Sequence, residues 1–145
     1  IQRPPSVVAE STTTRPVVAK IDDYYMKGNT NIEKAYNYFI STEGGGWTKQ
    51  QAAGIIGNLM QESGGGRRLG KDIDPIIANQ IGATGIAQWL PIQGRNKEPG
   101  RLVELKEFSA QNNIPWNTLY AQCSFINYEL ETYAYFGRNA LRQSK

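Results

Sequence analysis

Apolar residues recur along much of this chain at the three- and four-residue spacing of amphipathic helices. The first such stretch has its apolar positions at Ile32, Ala35, Tyr36 and Phe39. Asn29, Thr30 or Asn31 can cap its amino end, and three consecutive glycines at residues 44–46 follow its last apolar position. The pattern predicts a helix that begins near Asn31 and ends before these glycines.

The second helical stretch begins with a recognisable start signal. Thr48 is followed three residues later by Gln51, the spacing of a capping box in which each side chain bonds the other residue's backbone N–H. We therefore predict a helix over about residues 49–62. Gly54 and Gly57 lie inside it and each cost roughly 1 kcal/mol relative to alanine. This cost leads us to expect that another backbone packs closely against them.

Glu62 lies at the end of this helix, in a position that the apolar pattern predicts to be buried. At about 100° per residue it shares a face with Ile55 and Leu59. Burial penalises the charged form of a carboxylate, and the neutral acid can donate a proton near neutral pH. The residues alone leave two interpretations open. Glu62 is either a general acid, or a carboxylate that turns to solvent or accepts a structural hydrogen bond.

The rest of the chain is predicted to contain long loops and two more helices. Residues 63–83 form a glycine-containing loop, residues 82–89 form a glycine-punctuated turn, and residues 91–100 form an exposed loop. Helices are predicted at about 101–112 and 117–136. About four helices without an alternating strand pattern indicate an α fold in a single domain, with α-rich α+β as the other possibility. A functional cleft is expected at the central loops.

The amino-terminal part of the chain has a different composition. Residues 1–21 are rich in proline, threonine, serine and valine and lack helical periodicity, which predicts an extended arm or linker. We place the arm at residues 1–22 and the folded domain at residues 23–145. Because the chain begins at Ile1 rather than methionine, we expect it to be part of a longer protein.

Composition narrows the chemistry through the residues that are absent. The sequence has no histidine, and Cys123 is its single cysteine. This excludes Ser-His-Asp and Cys-His catalysis and the usual zinc sites, so we expect neither a metal nor a cofactor. Acid–base chemistry must then come from carboxylates, lysine or tyrosine. Cys123 lies on a helical apolar stripe and is predicted to be a core residue.

Charge and hydropathy argue against nucleic acid and membrane partners. The formal net charge is only +3, and no run approaches the roughly 18 apolar residues of a membrane span. Residues 65–71 fit the spacing of a phosphate-binding loop. However, Asp72 stands where a magnesium-binding serine or threonine is required, and a helix precedes the loop instead of a strand. We expect no nucleic acid partner, although Arg67, Arg68 and Lys71 are basic.

Residues 54–64 and the sequence Gly-Ile-Ala-Gln-Trp at residues 85–89 together resemble the phage tail lysozyme family, and more distantly goose-type lysozymes and soluble lytic transglycosylases. The likeness covers roughly residues 31–135. It implies a lysozyme-like α-rich fold that cleaves the β-1,4 bond between N-acetylmuramic acid and N-acetylglucosamine in peptidoglycan. It also aligns Glu62 with the family's catalytic glutamate, which agrees with the general acid interpretation.

The resemblance also implies which residues line the cleft. These would be Ser63, Thr84, Gln88 and Trp89. Their hydroxyl and amide groups would contact acetamido groups, and the indole would contact a sugar face. For Trp89 the alternative is a core aromatic residue beneath the cleft.

A second carboxylate would decide the mechanism. An inverting hydrolase needs a base about 6.5–9.5 Å from the acid, and a retaining one needs a nucleophile at about 5–5.5 Å. Asp72 and Asp74 are the nearest acids in the sequence, and we take Asp74 as the candidate. Otherwise the substrate's own 6-hydroxyl attacks, as in lytic transglycosylases. The sequence leaves hydrolysis and transglycosylation open.

These expectations describe a peptidoglycan-cleaving domain of a phage virion, carried on the tail, that aids wall penetration during infection. Its partners would be bacterial peptidoglycan and, through the amino-terminal arm, other tail proteins. The alternative is a structural or glycan-binding tail domain without catalytic activity.

Overall fold

The computed structural model of this protein describes residues 15–64 and 72–132. Within these ranges the chain forms five α-helices, one π-helical turn and a two-stranded sheet. The elements are α1 (Arg15–Tyr25), α2 (Asn31–Ile40), α3 (Lys49–Leu59), the π turn (Met60–Gly64), β1 (Ile92–Gln93), β2 (Glu98–Pro99), α4 (Arg101–Gln111) and α5 (Leu119–Thr132). The prediction of an α-rich, lysozyme-like domain is confirmed.

The predicted helix starts are confirmed in atomic detail. The Thr30 side chain caps α2 by accepting a hydrogen bond from the Glu33 backbone N–H at 3.1 Å. At α3, Thr48 Oγ1 accepts from the Gln51 N–H at 3.1 Å, and Gln51 Oε1 accepts from the Thr48 N–H at 3.0 Å. This is the complete capping box, so local sequence alone determines where α3 begins.

The amino-terminal arm is shorter than predicted. Residues 15–22 are helical as part of α1, so the expectation of an extended conformation is wrong for them. The side chains of Val18 and Ile21 are 4% and 2% exposed, and α1 contacts α5. Burial of this narrow apolar stripe stabilises the helix, although the proline- and valine-containing sequence favours it only weakly. Residues 1–14, the rest of the predicted arm, lie outside the described residues.

Helix α5 lies at the centre of the packing. It contacts α1, α2 and α4, while α3 packs against α2. The largest side chains that are at most 2% exposed include Phe39, Trp47, Leu105, Leu119 and Phe125. Cys123 on α5 is a fully buried free thiol, which confirms its predicted role in the core.

The loop predicted at residues 91–100 contains a short hairpin. β1 pairs with β2 in antiparallel register, with Ile92 opposite Pro99 and Gln93 opposite Glu98, and all four residues are exposed. Among the described helices, none has both the length and the apolar character needed to cross a membrane.

Gly54 and Gly57 do not pack against another backbone, so that expectation is wrong. A Cβ atom added at either residue would meet nothing within 4 Å. Both glycines lie on the exposed side of α3. They keep this side of the helix open instead of allowing a close helix contact.

A buried carboxylate joins α1 to the beginning of α5. Asp22 is 3% exposed and accepts hydrogen bonds from the backbone N–H groups of Leu119 at 3.0 Å and Tyr120 at 2.9 Å. These donors belong to the first turn of α5, which otherwise lacks intrahelical acceptors. Burial raises the pKa of Asp22 to about 7, because the loss of water outweighs the opposing effect of the two hydrogen bonds.

We expect this carboxyl group to make the free energy of unfolding depend on pH. Its pKa is near 3.9 in an unfolded chain and about 7 in the folded protein, so the folded state binds the proton more tightly. The stabilisation that this tighter proton binding gives the folded state is fully present below about pH 4 and is lost as the pH rises through 7. Urea unfolding of the wild type and Asp22→Asn between pH 4 and 8 checks this. The difference between their unfolding free energies should change across this range, and a constant difference would contradict the prediction.

Candidate functional site

Glu62 lies in the π turn and its side chain is exposed, so the prediction that it is buried is wrong. The prediction assumed a continuous α-helix, whereas the i→i+5 pattern of a π turn rotates less per residue. Ser63, not Glu62, continues the buried face of Leu59, and it is 2% exposed. The Ser63 hydroxyl donates to the Leu59 carbonyl at 3.3 Å. The helix end therefore presents the carboxylate to solvent.

A groove of about 330 Å³ lies along α3, the helix that leads into the π turn. Helix α3 contributes Gly54, Asn58 and Leu59 to its lining, α5 contributes Glu129 and Leu130, and Ala87 comes from the turn between them. We call it the α3–α5 groove. Its volume is at the lower end of the range for small-molecule sites. Glu62 follows Leu59 by three residues, and so lies just beyond the α3 part of the lining.

The turn at residues 82–89 is held by its own polar groups. Thr84 and Trp89 exchange two backbone hydrogen bonds of 2.9 Å, and the Thr84 hydroxyl donates to the Gly82 carbonyl at 2.7 Å. Gln88 has a positive φ of 55°, and its side-chain amide donates to the Gly85 carbonyl at 2.9 Å. The structure thus gives Thr84 and Gln88 roles in shaping the turn. Their contact with substrate stays a prediction, as does that of Ser63.

Trp89 is a core residue beneath this turn. It is 5% exposed, and its ring lies 5.7 Å from that of Phe125, measured between ring centroids. This position supports the core alternative over an indole exposed to a sugar face.

Gln122 fixes the turn to α5, and sequence reasoning gave it no role in the site. Its side chain is fully buried, accepts a hydrogen bond from the Ile86 N–H at 3.0 Å, and donates to the carbonyls of Pro75 at 2.8 Å and Trp116 at 3.2 Å. A Cβ at Gly85 would come within 2.8 Å of the side-chain amide oxygen of Gln122, and Gly85 has a φ of 87°. The signal in the sequence for this role of Gln122 was a glutamine within the apolar stripe of α5.

Glu129 is a carboxylate of the groove to which sequence reasoning gave no role in the site. Arg101 Nε and Nη2 both lie 2.5 Å from Glu129 Oε2, and the Trp89 side chain is a further hydrogen-bond partner of the carboxylate. The Glu129 side chain is 12% exposed. Burial raises its pKa above the ordinary value, against the lowering effect of Arg101. The signal in the sequence was a glutamate adjacent to the apolar positions Ile126 and Leu130.

Asp72 and Asp74, the two acids at the start of the second described stretch, have local partners. Asp72 accepts hydrogen bonds from the backbone N–H groups of Asn31 at 2.6 Å and Ile32 at 2.9 Å, so it stabilises the amino end of α2. Asp74 accepts from the Ile76 N–H at 2.9 Å. A role of Asp74 as second carboxylate stays a prediction. In the described part of the chain, no group of three or more histidine, cysteine, aspartate or glutamate side chains could hold a metal ion.

An α-rich fold with an exposed glutamate at the end of its third helix, which also lines a groove, is an arrangement suited to a lysozyme-like protein. The family model described as phage tail lysozyme matches residues 30–145. The chain belongs to the phage tail lysozyme family, as the resemblance predicted, and it is a lysozyme-like phage protein that acts on the peptidoglycan of the cell wall. No curated protein and no solved structure matches the chain.

Proposed function

We propose that this protein is a tail-borne peptidoglycan glycosidase that cleaves the β-1,4 bond between N-acetylmuramic acid and N-acetylglucosamine, with Glu62 as the general acid. Cleavage would help the phage to penetrate the wall during infection. One observation carries the proposal: the family match includes the π turn that exposes Glu62 at the end of α3, three residues after Leu59 of the α3–α5 groove. Single π-helical turns within helices are frequent at functional sites.

The chemistry requires a proton donor at the leaving oxygen of the glycosidic bond. A glycan chain bound along the groove would continue past Leu59 towards Glu62 and displace water from its carboxylate. Loss of water favours the neutral carboxylic acid, which is the form that donates the proton.

The attacking group is either water or the 6-hydroxyl of the substrate. Asp74 is the candidate base for water, and its side chain accepts the Ile76 N–H in a loop that is bound to Gln122 through the Pro75 carbonyl. Asp72 is the weaker candidate, because both of its oxygens accept backbone hydrogen bonds. With neither acid in reach, the 6-hydroxyl would give an anhydro product. Association with other tail proteins through the amino-terminal arm is part of the proposal.

Product analysis tests this function. Purified peptidoglycan is incubated with the protein, and soluble muropeptides are identified by mass spectrometry. We expect release of muropeptides, with a reducing end if water attacks and a product lighter by one water if the 6-hydroxyl attacks. An Asp74→Asn variant should lose activity only in the first case. Binding to peptidoglycan without release would contradict the glycosidase proposal and favour a structural or glycan-binding tail domain.

A further inference from the structure

Glu129 is the carboxylate that lines the α3–α5 groove, and the proposed cleavage does not use it. It faces this space together with apolar side chains from three elements, namely Leu59 of α3, Ala87 of the turn and Leu130 of α5. A carboxylate beside an apolar wall is costly unless it is well bonded. Arg101 and Trp89 supply those bonds, so Glu129 is held in one position.

The Glu129 carboxylate retains capacity for one more donor. An ionised carboxylate has about four lone-pair sites. Arg101 Nε and the Trp89 side chain donate hydrogen bonds to it, and Arg101 Nη2 lies 2.5 Å from Oε2 as an ion pair without hydrogen-bond geometry, so three donor groups approach the carboxylate. Both nitrogens of Arg101 approach the same oxygen, Oε2, so neither of these two contacts uses Oε1. A ligand in the groove can therefore donate a hydrogen bond to this carboxylate.

The remaining surface of the groove defines the ligand more closely. Asn58 on α3 carries an amide that can both donate and accept, and it is exposed. Ile55, Leu59, Ala87, Ile126 and Leu130 provide apolar surface. An acceptor, a donor and an apolar wall are the complements of an N–H, a carbonyl and a methyl group. A 2-acetamido group on a sugar ring carries all three.

We propose that Glu129 is a specificity-determining residue that accepts the acetamido N–H of an N-acetylated hexosamine bound in the α3–α5 groove. The acetamido methyl group packs on the apolar wall, and the Asn58 amide reaches the acetamido carbonyl. Arg101 and Trp89 act as positioning residues that orient the carboxylate. The inference rests on the proposed function, because the glycan substrate identifies the sugar.

Two neutral tetrasaccharides test the inference without requiring cleavage. Chitotetraose and cellotetraose share the β-1,4 backbone and differ at the 2-position, where one has acetamido groups and the other hydroxyls. They are titrated by NMR into ¹⁵N-labelled Glu62→Gln protein, which removes turnover. We expect chitotetraose to bind more tightly. Adding Glu129→Gln should weaken chitotetraose binding roughly ten- to a hundredfold, the effect of losing a hydrogen bond to a charged group, and leave cellotetraose binding unchanged.

Matched variants separate recognition from stability. Glu104→Gln removes the other carboxylate that pairs with Arg101, at 3.3 Å, and should leave binding unchanged. Gly54→Leu adds a side chain to the α3 side of the groove, whereas Gly57→Leu adds the same side chain outside the lining, and an added Cβ meets nothing within 4 Å at either residue. We expect Gly54→Leu to abolish chitotetraose binding and Gly57→Leu to retain it, with thermal unfolding showing that both fold.

The inference fails if the protein binds both glycans equally, binds neither, or keeps its preference in the folded Glu129→Gln variant. It also fails if Gly54→Leu binds as well as Gly57→Leu. Peptidoglycan release that depends on Glu62 but not on these groove variants would leave the proposed function intact and overturn only the role of Glu129. Acetamido recognition without any release would support Glu129 and overturn the glycosidase instead.

Discussion

Replacing Glu62 with glutamine should abolish the release of muropeptides from purified peptidoglycan. Glutamine has nearly the same shape but cannot donate a carboxylic proton to the leaving oxygen. General acid catalysis contributes typically 10²- to 10⁴-fold, and we expect the initial rate of release to fall by about this factor. The rate is measured by mass spectrometry of soluble products over time, at equal concentrations of wild type and variant.

The exposed position of Glu62 makes this comparison easy to interpret. Because its side chain is exposed, the substitution should change the free energy of unfolding by no more than about 0.5 kcal/mol. Glu107→Gln is a suitable control, since Glu107 is an exposed carboxylate on α4 away from the groove lining. It should release muropeptides at the wild-type rate. A Glu62→Gln protein with more than about a tenth of wild-type activity would rule out Glu62 as the general acid.

Replacing Gln122 with methionine should lower the free energy of unfolding by about 3 kcal/mol or more. Methionine fills a similar volume but forms none of the three hydrogen bonds that Gln122 makes. The N–H of Ile86 and the carbonyls of Pro75 and Trp116 would lose these bonds. A buried polar group left without its partner costs about 1–3 kcal/mol. Urea unfolding monitored by tryptophan fluorescence measures the change.

An exposed glutamine provides the comparison for Gln122. Gln111 lies at the end of α4 and is exposed, so Gln111→Met should alter stability by less than about 0.5 kcal/mol. We also expect Gln122→Met to release muropeptides more slowly below its unfolding transition, because the turn carrying Ala87 loses its bond to α5. A loss of stability below 1 kcal/mol would show that the network around Gln122 contributes little.

The sequence predicted the elements whose signals are local. The capping boundaries at Thr30 and Thr48 depend on residues within one helical turn, and both were found where the pattern placed them. Helix α1 was missed because its apolar stripe is short and lies among prolines, threonines and valines. Packing against α5, which belongs to the other end of the chain, stabilises it as a helix.

The candidate site was only partly predictable for related reasons. Glu62 was identified from its motif, but its exposure depends on a switch from α to π geometry that residue spacing does not indicate. The pair of Glu129 and Arg101 joins residues 28 positions apart. Such a pair forms only after α4 and α5 pack together, and no local pattern specifies which charge meets which.

The buried thiol of Cys123 has a practical consequence for labelling this protein. Burial raises the pKa of Cys123 well above its ordinary value, so the reactive thiolate form is suppressed in the folded protein. The sequence contains no second cysteine. A cysteine introduced at an open position such as Gly57 would then react alone with a maleimide fluorophore. No native cysteine therefore has to be removed before single-site labelling. A fluorophore on a cysteine at residue 57 would report the arrival of a glycan beside α3 in real time.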